Sequence, residues 1–142
     1  DLWFQCYGAR ANTGFLIGSE YESVMHPDGT LRVEPTMQVA GHSTVYAVGD
    51  LTDVRESKRA DAARQQARVV IANITAQIEG ETPDAHYVPT KEWVILPLGP
   101  NMGASQLLDS DGHTRILGAE QTAEIKGTDL MVSVIRSQLN LP

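Results

Sequence analysis

Thr44-Val-Tyr-Ala-Val-Gly-Asp50 is an apolar run that stops on a glycine and a carboxylate, after which the chain enters a short loop and an alanine-rich stretch. An apolar strand ending in Gly-Asp predicts a carboxylate at the C-terminal edge of a sheet, where open α/β folds bind their ligands. Gly49 has no side chain to keep a ligand off the backbone. Asp50 is placed to accept a hydrogen bond from a ligand hydroxyl, and the start of the next helix offers unpaired N–H groups and a partial positive charge. The plainer reading of Asp50, as a turn residue closing a strand, stands beside this one.

Downstream, residues 58–79 carry the clearest periodicity in the chain. Ala60, Ala63, Ala67, Val70, Ile71, Ile74 and Ile78 recur at spacings of three and four, which predicts a helix with that stripe buried. Gln65, Gln66 and Asn73 fall opposite it, and Arg64 and Arg68 border it. Ser57 is a candidate N-cap and Gly80 a candidate stop. The first half of the stripe is alanine only, so whatever packs there must approach the helix backbone closely.

Upstream, Asp1 to Tyr7 is an apolar-aromatic run halting at Gly8, read as a buried strand with Cys6 inside it as an inert thiol. It has no initiator methionine and no signal-type stretch, and is expected to be an interior strand of something longer. Pro27-Asp-Gly29 is a turn, and Leu31, Val33 and Val39 around Pro35 predict short strands or a hairpin. Beyond the helix, Glu79-Gly-Glu-Thr-Pro-Asp84 opens a polar linker over residues 81–91. It divides a module over residues 1–80 from one over 92–142. The second module is expected to hold a strand at Trp93–Leu98, a turn at 99–103, a hairpin turn at Asp111-Gly112, a strand at 115–117 and a last helix from about Asp129 to Leu139. Thr128 or Asp129 would cap that helix.

Composition narrows the function. The 142 residues, 42% hydrophobic, suffice for a core without disulfides or metals. Eleven Lys and Arg against eighteen Asp and Glu give a net charge of −7, which argues against nucleic acid. The single cysteine rules out a disulfide framework within the chain and fits a reducing compartment. No apolar run approaches the roughly 18–20 residues of a membrane span. His26, His42, His86 and His113 lack ligand spacing, so no metal site is expected, and Asp109-x-Asp111-Gly112 departs from a calcium loop.

The strand-Gly-Asp segment resembles the second flavin motif of the FAD-dependent pyridine-nucleotide oxidoreductases. Val48-Gly-Asp-Leu-Thr-Asp-Val-Arg-Glu-Ser-Lys58, followed by Ala60, Ala63 and the run to Ala72-Asn-Ile74, is similar to the apoptosis-inducing-factor-like and ferroptosis-suppressor-like branch, relatives of type II NADH dehydrogenases. Asp1 to Asn12 resembles the segment returning from the NAD(P)H domain to the FAD domain. Pro97-Leu-Gly-Pro100, Gly103 and Ile125-Lys-Gly-Thr-Asp129-Leu resemble that branch's C-terminal domain. The likeness covers nearly the whole chain, yet no Gly-x-Gly-x-x-Gly fingerprint occurs in it.

The resemblance implies an α/β fold, α+β in its second module: the tail of a Rossmann-like FAD domain followed by a small sheet-plus-helix domain. It implies a C-terminal portion of a flavoenzyme that moves electrons from NAD(P)H through FAD to a quinone-like acceptor, inactive by itself. Asp50 would hold the FAD chain, Gly49 would permit close approach, and Lys58 would lie near the isoalloxazine as the catalytic cation. Arg10 would be a further cofactor contact. For Lys58 and Arg10 the plainer readings are a solvated first-turn lysine and a loop cation. Expected partners are the rest of the polypeptide, which would bind NAD(P)H, and a second copy in a homodimer. A cytoplasmic location, with membrane-peripheral attachment through other parts, goes with this reading. The rival class is a non-enzymatic interaction or dimerisation module built on residues 93–139.

Overall fold

The computed structural model describes residues 2–5, 8, 10–89 and 91–141. The chain divides into two compact units, Asp1–Thr90 and Lys91–Pro142.

In the first unit the longest element is helix α1, Ala60–Ile78. It begins two residues later than the periodicity predicts, with Arg59 rather than Ser57 at the N-cap. It ends as expected at Gly80, where the N–H groups of Glu79, Gly80 and Glu81 return to carbonyls of the last turn. Ahead of α1 the chain is a sequence of turns and single bridges. Three 3-10 turns, Gly14–Leu16, Glu22–Val24 and Gly49–Leu51, alternate with isolated pairings of Met25 with Leu31, Leu31 with Thr52, Val33 with Val39 and Gln38 with Tyr46. A small apolar core of Leu31, Val39 and Ala47 collects Leu16, Tyr21 and Val24 around it.

Three expectations are corrected here. Residues 44–48 are not a strand of a sheet. They are extended and paired along one edge only, through Val39 N–H to Val45 O at 2.8 Å and Ala47 N–H to Met37 O at 3.1 Å. The apolar run at the start is likewise no strand among its described residues, and Leu2, Trp3 and Phe4 are exposed. Cys6 and Tyr7, and with them the inert buried thiol, lie outside the described residues.

Helix α1 packs on the chain through a face set to one side of its apolar stripe, so that Ala63, Ala67 and Val70 at the stripe's near edge are half-buried. Ala62, Gln66 and Asn73 are buried, whereas Ile71 is 64% and Ile78 80% exposed. The physical reason is the irregular backbone beneath the helix, which lacks sheet partners and needs side-chain ones. Asn73 meets that need by donating to Thr36 O (2.9 Å) and Ala85 O (2.8 Å) and accepting from Ala85 N–H (2.9 Å). Gln77 does the same one turn on, donating to Ser43 O and accepting from the Tyr46 hydroxyl.

The second unit is α+β. Strands β1 (Val94–Pro97), β2 (Gly103–Leu108) and β3 (Thr114–Leu117) form an antiparallel sheet in the order β1-β2-β3. The hairpin turn falls at Asp111-Gly112 as the sequence predicts, with Gly112 N–H donating to Asp109 O. The period-2 register puts Ile95, Ser105 and Leu117 on one face and Val94, Gln106 and Ile116 on the other. A helical stretch the sequence reading missed, α2 at Ala119–Thr122 continuing as a π-helical turn over Ala123–Gly127, covers the first face. There the buried hydroxyls of Ser105 and Thr122 bond at 2.8 Å. The last helix, α3, is shorter than expected at Val132–Gln138, because Leu130 and Met131 before it turn left-handed. Asp129 accepts from Met131 N–H and Ser133 N–H, holding that entry.

Candidate functional site

Gly49 and Asp50 open the 3-10 turn Gly49–Leu51, which leads from the extended segment into the loop before α1. Gly49 has φ +83°, a left-handed conformation that a side chain would strain. Its peptide is held from both sides. The N–H donates to Gln66 Oε1 at 2.6 Å, and the carbonyl accepts from Thr52 N–H at 3.1 Å and Thr52 Oγ1 at 2.9 Å. Gln66 and Thr52 are both buried. Asp50, by contrast, is exposed, and its carboxylate has no hydrogen-bond or ion-pair partner among the described residues. A turn hydrogen-bonded at both ends of the Gly49 residue thus presents an exposed carboxylate.

The loop that follows is pinned in two places. Asp53 pairs with His26 Nε2 at 3.2 Å and accepts from Val33 N–H at 3.0 Å, while Leu31 and Asp53 are joined by a backbone bond across the same gap. Lys58 folds back over the loop, donating from Nζ to Thr52 O at 2.6 Å and Val54 O at 3.0 Å. An ammonium has three donors, so one remains for a ligand. The side chain of Arg59, the N-cap residue, makes no capping hydrogen bond to the first turn of helix α1.

Gly49, Asp50 and Lys58 therefore come together, lining one crevice with Ala62, Ala63 and Gln66. Arg10 lines a different cleft, with Gly14, Ile17 and Glu22. Sequence reasoning missed a polar chain along the crevice wall, in which Gln66 and Tyr87 are buried and Glu56 is half-buried. Gln66 Nε2 donates to Glu56 Oε1 at 2.6 Å, and the Tyr87 hydroxyl donates to Glu56 Oε2 at 2.7 Å. Burial, followed by the hydrogen bond to Glu56, pushes the Tyr87 phenol up to about 12. Glutamine inside a helical pattern signals a solvated face, and nothing in its spacing reports a partner 17 residues upstream.

An exposed acceptor on a side-chain-free turn and a neighbouring ammonium are groups that a polyol-phosphate ligand uses, while the crevice itself encloses only about 140 Å³ and has Glu56 in its wall. No protein-family profile matches the chain. Individual relatives do. An FAD-dependent oxidoreductase of Flammulina velutipes, FVFD30, is 28% identical over 136 residues, 96% of this chain and 41% of its own length. The ferroptosis suppressor protein 1 of Homo sapiens is 36% identical over 107 residues, 75% of this chain and 28% of its own. Apoptosis-inducing factor homolog B of Dictyostelium discoideum is 33% identical over 144 aligned positions, 100% of this chain and 36% of its own.

These relatives define the class as that of the FAD-dependent oxidoreductases. Within it, the chain belongs to the branch that contains apoptosis-inducing factor homologues and ferroptosis suppressor proteins. The chain spans between 28% and 41% of the length of these three relatives. Among the described residues no helix is long and apolar enough to cross a membrane.

Proposed function

We propose that this chain is the C-terminal portion of a flavoprotein oxidoreductase that carries electrons from NAD(P)H through FAD to a quinone-like acceptor. Residues 1–80 then complete a Rossmann-like FAD domain, with NAD(P)H bound by other parts of the polypeptide. The observation that carries the reading is the free Asp50 carboxylate on a turn locked by Gln66 and Thr52. Asp50 accepts a hydroxyl of the ribityl-pyrophosphate tail, Gly49 lets that tail lie on the backbone, and Lys58 supplies a cation from the same crevice. FAD supplies the hydride and electron chemistry; the chain supplies binding and electrostatics. Arg10 contributes from its own cleft, and the protein works in the cytoplasm or at a membrane surface.

The test is the full-length natural polypeptide purified with and without Asp50→Ala. The unaltered protein is yellow and bleaches on NADH or NADPH, while the variant loses flavin by about tenfold or more, as befits a hydrogen bond to a charged group. Full flavin occupancy in the variant overturns the reading. The 142 residues by themselves are expected to be colourless and inactive.

A second reading rests on a separate observation. Leu96 and Ile116 are 57% and 68% exposed on the outer sheet face of the second unit, a surface suited to a second copy of the chain. Sedimentation of Ile116→Lys against the unaltered protein tests it, and an unchanged dimer removes this face from consideration.

A further inference from the structure

The chain of hydrogen bonds behind Gly49 has a direction. A glutamine side chain can be inserted either way round, with its oxygen or its nitrogen toward a given neighbour. Gln66 must offer its oxygen to Gly49 N–H, since an N–H can only donate. What keeps it that way is Glu56, which as a carboxylate only accepts and therefore draws the Gln66 nitrogen to itself. Tyr87 closes the far end by donating its hydroxyl to the second Glu56 oxygen. The order is Tyr87 O–H to Glu56, Glu56 from Gln66 N–H, and Gln66 Oε1 from Gly49 N–H. Its members come from the loop, the second turn of α1 and the segment after the helix, and Gln66 is 2% exposed. Turning the amide round would set its NH2 group against the Gly49 N–H and leave two buried donors facing each other.

We propose that Gln66, oriented by Glu56 and Tyr87, is the positioning residue of the Gly49–Asp50 turn and so sets how tightly that turn holds the flavin's ribityl-pyrophosphate tail. This rests on the flavin reading above. Gln66 lines the crevice, but its oxygen is engaged by Gly49 N–H and its nitrogen by Glu56. It acts by pinning the Gly49 amide, with Thr52 pinning the Gly49 carbonyl, so that Asp50 meets its hydroxyl without an ordering step at the moment of binding.

Polarity separates this role from mere packing. Gln66→Glu keeps the shape but sets two carboxylates against each other, deleting one donor and adding repulsion. Combining it with Glu56→Gln restores every pairing, with the bond between positions 56 and 66 reversed in direction. The amide introduced at position 56 would donate to the carboxylate introduced at position 66, and that carboxylate would accept from Gly49 N–H. The oxygen of the same amide would accept from the Tyr87 hydroxyl. Glu56→Gln alone is tolerated, since the introduced amide can face its oxygen to Gln66 and its nitrogen to the Tyr87 hydroxyl, which also accepts.

The experiment uses the full-length natural polypeptide and two readouts. One is deuterium exchange of the Gly49–Asp50 amides after the flavin has been stripped; the other is the affinity for added FAD. Gln66→Glu is expected to speed that exchange and weaken FAD by about tenfold or more in each case, and the Glu56→Gln/Gln66→Glu pair to bring both within about threefold of the unaltered protein. If the single variant fails to fold, recovery in the pair still supports the proposal. Unchanged exchange in Gln66→Glu overturns it, as does a pair no better than the single variant. Exchange that follows the expected pattern while FAD affinity stays constant also overturns it, because the turn is then held without consequence for the ligand. An unaltered protein that takes up no FAD sinks the flavin reading instead, a different failure, visible before any variant is compared.

Discussion

Asn73→Ala removes the residue that anchors the middle of α1 to the irregular backbone beneath it. The side chain is 1% exposed and makes three hydrogen bonds, two to carbonyls of Thr36 and Ala85 and one from Ala85 N–H. Truncation leaves three backbone groups without their partner. At about 1 kcal/mol for each, with Ala85 close enough to the surface for water to replace part of the loss, the cost is about 2–4 kcal/mol. The matched control is Ile78→Gln on the opposite face, 80% exposed, where the change is expected to stay within about 0.5 kcal/mol. Urea unfolding of the 142-residue chain, followed by the helical circular dichroism signal, reads both. A loss of more than about 1.5 kcal/mol at Ile78, with Asn73→Ala near neutral, would refute the inward orientation of the polar face.

Three further outcomes follow from particular contacts. Gly49→Ala meets only an ordinary 3.7 Å contact with Ala63 Cβ, so its cost is that of a left-handed non-glycine residue, about 1–2 kcal/mol in urea unfolding. Tyr87 keeps its proton to about pH 12 in the folded chain against an ordinary value of 10, so the folded state is the better proton binder between them; the stabilisation is complete below pH 10 and fades as pH climbs towards 12, and a tyrosinate absorbance titration that shows all four tyrosines ionising near pH 10 would contradict this. In the second unit, a Cβ at Gly103 would come within 2.5 Å of Leu96 O and of Thr122 Cγ2, so Gly103→Ala is expected to part β1 from β2 and lower the thermal midpoint, whereas Gly14→Ala, open on all sides, leaves it in place.

The candidate site was legible in part. Gly49, Asp50 and Lys58 stand close in sequence, so a short turn is enough to bring them to one crevice, and their chemistry could be read from residue type. Arg10, nominated with them, lines another cleft. Glu56, Gln66 and Tyr87 escaped notice because their partners lie 10, 17 and 31 residues away, and pairings at that distance leave no periodic mark. Asp53 escaped in the same way, its partner His26 being 27 residues off.

What the amino-acid order determined by itself was local: a helix over the alanine- and isoleucine-rich stretch, its end at Gly80, the Asp111-Gly112 reversal and the glycine turn before Asp50. Each depends on backbone preferences and on neighbours a few residues apart. Tertiary structure alone decided which side of α1 faces inward. Periodicity marks two unlike faces of a helix but not which of them the rest of the chain requires, and here a backbone of turns with unpaired amides and carbonyls selected the side that carries Gln66, Asn73 and Gln77.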